Sequence, residues 1–236
     1  MGRSYIDAIK REFKSFEIIR NIGWFVILFL FFEFIWKVCV HQGEDESILM
    51  VLGKDLTHYV YGLCAWTAKA TYFVIHTLLG YENFKIDGLY IYFQDSLFKN
   101  HIVWGCTGLK QLIMFTFIIA CYFGPLRKKI WFIPVSLILL VLINILRLTI
   151  ICFIVREPFP EWFIGVNEWY NDRTWVNSEE CFSLFYQDWF NVFHHDIFTW
   201  IYYDGIIFLL WLFWEERFNK PYQRLKGKLS KKAKSQ

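Results

Sequence analysis

Apolar positions along this chain gather in long blocks separated by short polar stretches. Ile22–Val40 is the clearest block, about as long as a helix must be to cross a hydrocarbon core of roughly 30 Å. It holds one acid, Glu33, near its middle. Further blocks run from Gly105 to Phe123, Ile130 to Val155 and Phe190 to Trp214, and each predicts a membrane-crossing helix. Leu56–Leu79 differs. Its His58, Tyr61, Ala65, Lys69, Tyr72 and His76 recur at helical spacing, which predicts an amphipathic helix at a membrane interface. The alternative is a tilted span with that stripe packed against its neighbours. From Phe84 to Phe93 the residues alternate around Asp87-Gly88, the pattern of a short β-hairpin. Glu82, Lys85, Asp87, Asp95 and Lys99 keep this segment out of lipid. The fold expected is therefore an all-α integral membrane protein, a polytopic helical bundle with a short extracytoplasmic β-hairpin.

Composition supports that class: 56% of the 236 residues are hydrophobic and 22% aromatic, too many for an ordinary soluble domain. No small-residue cleavage site follows the first block, so a cleaved signal peptide is not expected. The net charge of +3 matters less than its placement. Basic residues collect at Arg3–Arg20, at Arg127–Lys129 and from Arg217 to Lys234, marking the cytoplasmic side. The lysine-rich tail reads as an anchor beside anionic lipid, and no nucleic-acid partner is expected. Gln42–Ser47 and Glu157–Asp188 are acidic or mixed and suit the outer side, where Trp162, Trp169, Trp175 and Trp189 fit an interfacial belt. The division expected is a cytoplasmic segment over residues 1–20, a membrane-embedded domain over 21–214 and a basic cytoplasmic tail over 215–236. Counting crossings puts Cys106 at the outer end of its span, in a multi-pass protein of the inner (plasma) membrane.

Three chemically distinctive residues then fall at one depth: Cys106, Arg147 and His195. Arg147 lies 17 residues beyond Ile130, a rise of roughly 25 Å, near the outer boundary. His195 sits about a turn inside the last block, with His194 as its direct competitor. A thiol becomes a strong nucleophile when ionised, an imidazole can take its proton and return it to a leaving amine, and a cation in a low-dielectric site can hold a developing oxyanion. A thiol at a helix amino terminus is further favoured by the amides there, and Gly105 and Gly108 allow close backbone approach. Each residue also has a structural reading. A buried Cys is commonly a small packing residue, Arg147 can pair with Glu33 or snorkel outward, and a His can satisfy a core hydrogen bond. Cys121 and Cys152 read as packing residues. Cys39 and Cys181 both face the outer side, where a disulfide is conceivable. The histidines lack ligand spacing, so neither metal nor cofactor is expected. No repeated halves point to a transporter.

Cys-Thr-Gly-Leu at 106–109, Asn-x-x-Arg at 144–147 and a late His before the final block resemble the exosortase/archaeosortase family, over roughly Gly88 to Trp214. The short length and aromatic richness are most similar to the exosortase-family proteins of Bacteroidetes-type bacteria. The resemblance implies an intramembrane cysteine peptidase or transpeptidase that cleaves carboxy-terminal sorting signals of exported proteins. It implies Cys106 as nucleophile, Arg147 as the family's Arg, and His195 as the third member. A Gly often follows that His by four residues; here Thr199 holds the place. The partners implied are exported proteins with an apolar, basic-ended tail. The competing expectation is a non-catalytic membrane protein assisting secretion or exopolysaccharide assembly.

Overall fold

A computed structural model of the chain describes residues 2–42, 47–96, 98–156, 161–171, 184–185, 188–190, 197–198 and 204–234. The first helix, α1 (Gly2–Cys39), runs without a break through residue 20, so the basic amino-terminal segment and the first apolar block form one rod. Among the described residues two helical stretches are long and apolar enough to cross a membrane: Ile19–Cys39, of 21 residues, and Leu126–Arg156, of 31 residues. Along both, large apolar side chains such as Ile27, Leu30, Phe34, Ile130, Ile138 and Leu142 stand exposed. Apolar faces of that extent on a soluble protein would be left in water; against lipid they cost nothing.

The expected hairpin is present. Strands β4 (Phe84–Asp87) and β5 (Tyr90–Phe93) pair antiparallel, Asp87 opposite Tyr90. The two-residue loop is Gly88-Leu89, and Gly88 at φ +61° supplies the positive angle that the first position of a type II′ turn needs. The hairpin is not isolated, because β6 (Asn100–His101) pairs with β5 to complete a three-stranded sheet. A second sheet, unexpected from the sequence, joins β1 (Val40–Gln42), β2 (Leu49–Val51) and β3 (Lys54–Asp55). Its β2–β3 loop places Leu52 and Gly53 at φ +49° and +77°.

Leu56–Leu79 is helical throughout, as α2 (Thr57–Tyr72) followed by a π turn at Phe73–Leu78. The face it buries is Cys64, Thr67, Ala68, Thr71 and Ile75, while His58, Tyr61 and Lys69 stay exposed. Small side chains allow close packing here, and the Thr67 and Thr71 hydroxyls are satisfied by donating to the carbonyls of Leu63 and Thr67. The Gly105–Phe123 block is shorter as a helix than expected. A 3-10 turn at Trp104–Thr107 and a left-handed Gly108 precede α3 (Leu109–Cys121), leaving 13 helical residues. At about 1.5 Å each these span roughly 20 Å, less than a full hydrocarbon core. The Glu157–Asp188 segment, expected as a polar loop, contains the helix α5 (Glu161–Asn171), whose Phe163 packs 4.8 Å from the Trp189 ring.

The turn between α3 and α4 (Leu126–Arg156) shows why a lysine can be buried. Lys129 donates to the carbonyls of Ala120 (2.8 Å) and Tyr122, capping the carboxyl end of α3. Below it, Phe25, Phe115, Phe132, Trp211 and Trp214 build an aromatic core with α6 (Ile206–Trp214), where Phe25 and Trp211 approach to 4.6 Å. Through a π turn at Glu215–Asn219, α6 continues into α7 (Lys220–Lys234). At this end Glu215 is buried as acceptor of hydrogen bonds from Asn21 (2.7 Å), Tyr122 (3.0 Å) and Asn219 (2.6 Å). One end of the molecule is thus tied by a polar node, and the two sheets occupy the other.

Candidate active site

The sheet end of the molecule brings the Cys-Thr-Gly-Leu and Asn-x-x-Arg segments together. Cys106 lies in the 3-10 turn that follows β6, one turn ahead of α3 rather than within its first turn. The turn is held by the Cys106 amide donating to Val103 O (3.0 Å) and by the Thr107 hydroxyl donating to Trp104 O (2.6 Å). The Leu109 amide donates back to that hydroxyl at 3.3 Å. Trp104 anchors the turn outward: its indole donates to Ile48 O at 3.3 Å and its ring lies 6.4 Å from Trp36 on α1. Gly108 is favoured by its backbone angle and lies in ordinary contact distance of α4. Its φ of +73° is left-handed, and a Cβ there would meet Asn144 Cγ at 3.4 Å.

That close approach lets α4 grip the turn. Asn144, Arg147, Leu148, Ile151, Cys152 and Val155 form the buried face of α4. Asn144 Nδ2 donates to Cys106 O at 2.9 Å, and Arg147 Nη2 donates to the same oxygen at 3.3 Å. Both side chains are almost wholly enclosed, Arg147 at 2% exposure. Arg147 therefore meets Cys106 through its backbone carbonyl, whose dipole faces the guanidinium. Beside it, the buried Oδ1 of Asn144 accepts no hydrogen bond from any described residue. The Cys106 thiol is itself buried, 4.0 Å from His101 O, in a cluster with Cys64, Trp104, Leu148 and Cys152. A cavity of about 50 Å³ lies on the α2 side of the same turn, lined among others by Tyr61, Cys64 and His101.

Of the three residues expected from sequence, the structure brings Cys106 and Arg147 together. His195 lies outside the described residues, as do its competitor His194 and Cys181. Cys39 forms no disulfide among the described residues. Two contacts escaped the sequence reading. Asn144 stands one helical turn before Arg147, so the spacing already put it on the same face, but nothing in the sequence said which atom it would hold. Lys110, two residues into α3, takes Glu33 at 2.9 Å, so Glu33 pairs with Lys110 and not with Arg147. This bridge joins the carboxyl-terminal part of α1 to the start of α3.

The sheet beside the turn is fixed at its outer corner. Arg156, the last residue of α4, donates to Asp95 Oδ2 at 2.6 Å and lies 4.7 Å over the Phe93 ring. These hydrogen bonds from Arg156 hold the Asp95 carboxyl below the ordinary carboxylate range.

A family model described as transmembrane exosortase matches residues 47–170, just over half of the chain. The matched stretch takes in Cys106, Asn144 and Arg147 and ends before His194 and His195. No curated protein and no solved structure matches the chain.

Proposed function

Because this chain belongs to the transmembrane exosortase family, a membrane family of protein sorting, we propose that it is a cysteine transpeptidase or peptidase that cleaves carboxy-terminal sorting signals of exported proteins. The observation carrying this reading is the convergence of Asn144 and Arg147 on the carbonyl of Cys106, across 38 and 41 residues of sequence. Two donors, one of them charged, fix the turn that presents the thiol. Nothing in simple packing calls for a buried Arg at that carbonyl, where an apolar residue would cost less.

In the proposed reaction His195 takes the thiol proton and Cys106 attacks the carbonyl carbon of a peptide bond just outside the membrane. The tetrahedral oxyanion develops in the field of Arg147, a contribution of about 3 kcal/mol for one such donor. The C–N bond breaks, the imidazolium returns its proton to the leaving amine, and a thioester on Cys106 remains. An amine or hydroxyl acceptor, or water, then takes the acyl group and regenerates the thiol. The protein would sit as a multi-pass bundle in the inner (plasma) membrane with the sheets and Cys106 on the extracytoplasmic side. The tail it removes would be apolar and basic-ended. Substrate would enter between α2 and the Trp104–Thr107 turn, where the small cavity lies.

Hydroxylamine tests the thioester directly, since it diverts an acyl-thiol to a hydroxamate and frees the thiol. Cells expressing the wild-type chain, treated with hydroxylamine, should yield exported proteins with hydroxamate carboxy termini. Cys106→Ser at normal abundance should yield none, and His195→Ala should reduce them far more than His194→Ala. Hydroxamate termini persisting in Cys106→Ser would remove Cys106 from the reaction.

A further inference from the structure

At the end of the molecule opposite Cys106 lies a cavity of about 820 Å³ that the proposed reaction does not use. Its floor is the polar node of Asn21, Glu215 and Asn219, and its walls come from α1, the α3–α4 turn and the start of α7. Arg20, Lys220 and Arg224 line it, against two carboxylates, Glu215 and Glu216. Both carboxylates are engaged internally: Glu215 accepts from three neutral donors, and Glu216 pairs with Lys220. Among the residues that line the cavity, cations outnumber carboxylates by one, the complement of a phosphodiester, and Arg20 also donates to Asn21 Oδ1 at 3.4 Å. Its depth fits the same ligand. Arg20 lies one residue past Ile19, where the apolar stretch of α1 begins, and Glu215 follows directly on the apolar α6. Trp24 and Phe123 line the cavity on the apolar side, 5.8 Å apart and both partly exposed. A third feature comes from α7. Tyr222, Leu225 and Leu229 are exposed at a spacing that puts them on one helical face, while Arg224, Lys226 and Lys228 occupy the rest. A short basic helix with one apolar stripe lies in a membrane interface.

We propose that this cavity binds the headgroup of an anionic phospholipid, with Arg20 and Arg224 on the phosphate and the glycerol and upper acyl region against Trp24 and Phe123. The guanidinium forks suit phosphate oxygens, and the aromatic pair suits the layer just below them. The bound lipid would bridge α1 to α7.

The test uses the full chain purified in neutral detergent, with phosphatidylglycerol and phosphatidylcholine as probes and native mass spectrometry to count retained lipid. Phosphatidylglycerol should be retained at one molecule per chain, and phosphatidylcholine should not. Arg20→Gln with Arg224→Gln should weaken retention about tenfold or more. Lys226→Gln with Lys228→Gln, which removes equal charge outside the cavity, should leave it within about twofold. Equal retention of the two lipids by the wild-type chain overturns the proposal without recourse to any variant. So does equal weakening by the two double variants, which would mean a diffuse basic surface. Release of phosphatidylglycerol by millimolar inorganic phosphate would mark a soluble-anion site and would also overturn it.

Discussion

Asn144 and Arg147 act on the same oxygen yet should not be interchangeable. Asn144→Ala removes one of two donors to Cys106 O and also relieves its own unsatisfied Oδ1, so the loss in stability should be modest, about 1 kcal/mol by thermal unfolding. Arg147→Lys keeps the charge but loses the planar fork, and Arg147→Met loses both. If the guanidinium serves the oxyanion, processing by both variants should fall at least about a hundredfold while their unfolding temperatures stay close together. Equal activity of Arg147→Met and wild type would return this residue to a packing role. At Leu52 the outcome runs the other way. This exposed leucine sits at φ +49°, so Leu52→Asn should raise stability by about 1 kcal/mol. Arg147 stood out in the sequence because a cation is out of place in an apolar block, and Cys106 through the Cys-Thr-Gly-Leu resemblance. Their contact through a carbonyl did not, since spacing fixes a helical face and not the atom it meets. Lys129 was legible as a positive charge only. Its role in capping α3 depends on the turn at Gly124, where φ is +129° and a Cβ would meet the Trp214 ring at 2.7 Å.

Among the elements, the β4–β5 hairpin could be read in advance because eight strand residues alternate around a glycine turn. The β1–β2–β3 sheet could not, since strands of three, three and two residues are too short to show a period. The α3 boundary was missed for a related reason: an apolar block runs straight through Trp104–Gly108, and hydropathy does not register a left-handed glycine. Two couplings between elements give measurable outcomes. Breaking the partly exposed Glu33–Lys110 bridge by Glu33→Gln removes the direct partner of Lys110 and should cost about 1 kcal/mol; adding Lys110→Gln should recover part of that loss. A double variant as unstable as the sum of the singles would show that the bridge is not coupled. The Arg156–Asp95 pair ties the end of α4 to the β5–β6 loop and makes stability pH-dependent. Because the folded-state carboxyl is held low, the pair contributes fully above the ordinary carboxylate range, and its contribution is lost as pH falls through the lowered value. Asp95→Asn should flatten the acid limb of a stability-versus-pH curve and leave the limb above neutrality unchanged.

For the whole molecule, the polar node at Glu215 and the sheets around Cys106 mark opposite ends of the apolar stretch of α1, from Asn21 to Cys39, a rise of roughly 27 Å. That separation equals a hydrocarbon core, with aromatic packing between the ends and apolar faces outward. The proposed division of labour sets a lipid-binding anchor at the basic end and the thiol chemistry at the sheet end. The membrane class was legible from the apolar blocks. The bond from the Trp104 indole to Ile48 O, which sets the first sheet beside the Cys106 turn, joins residues distant in sequence and could not be read from it. The most direct test of the central claim is to compare exported proteins from cells carrying the wild-type chain or Cys106→Ala at equal abundance, reading intact carboxy termini by mass spectrometry. A defined set of proteins should lose an apolar, basic-ended tail in the wild type and keep it in the variant. Identical termini in both would contradict Cys106 as the nucleophile of a sorting peptidase.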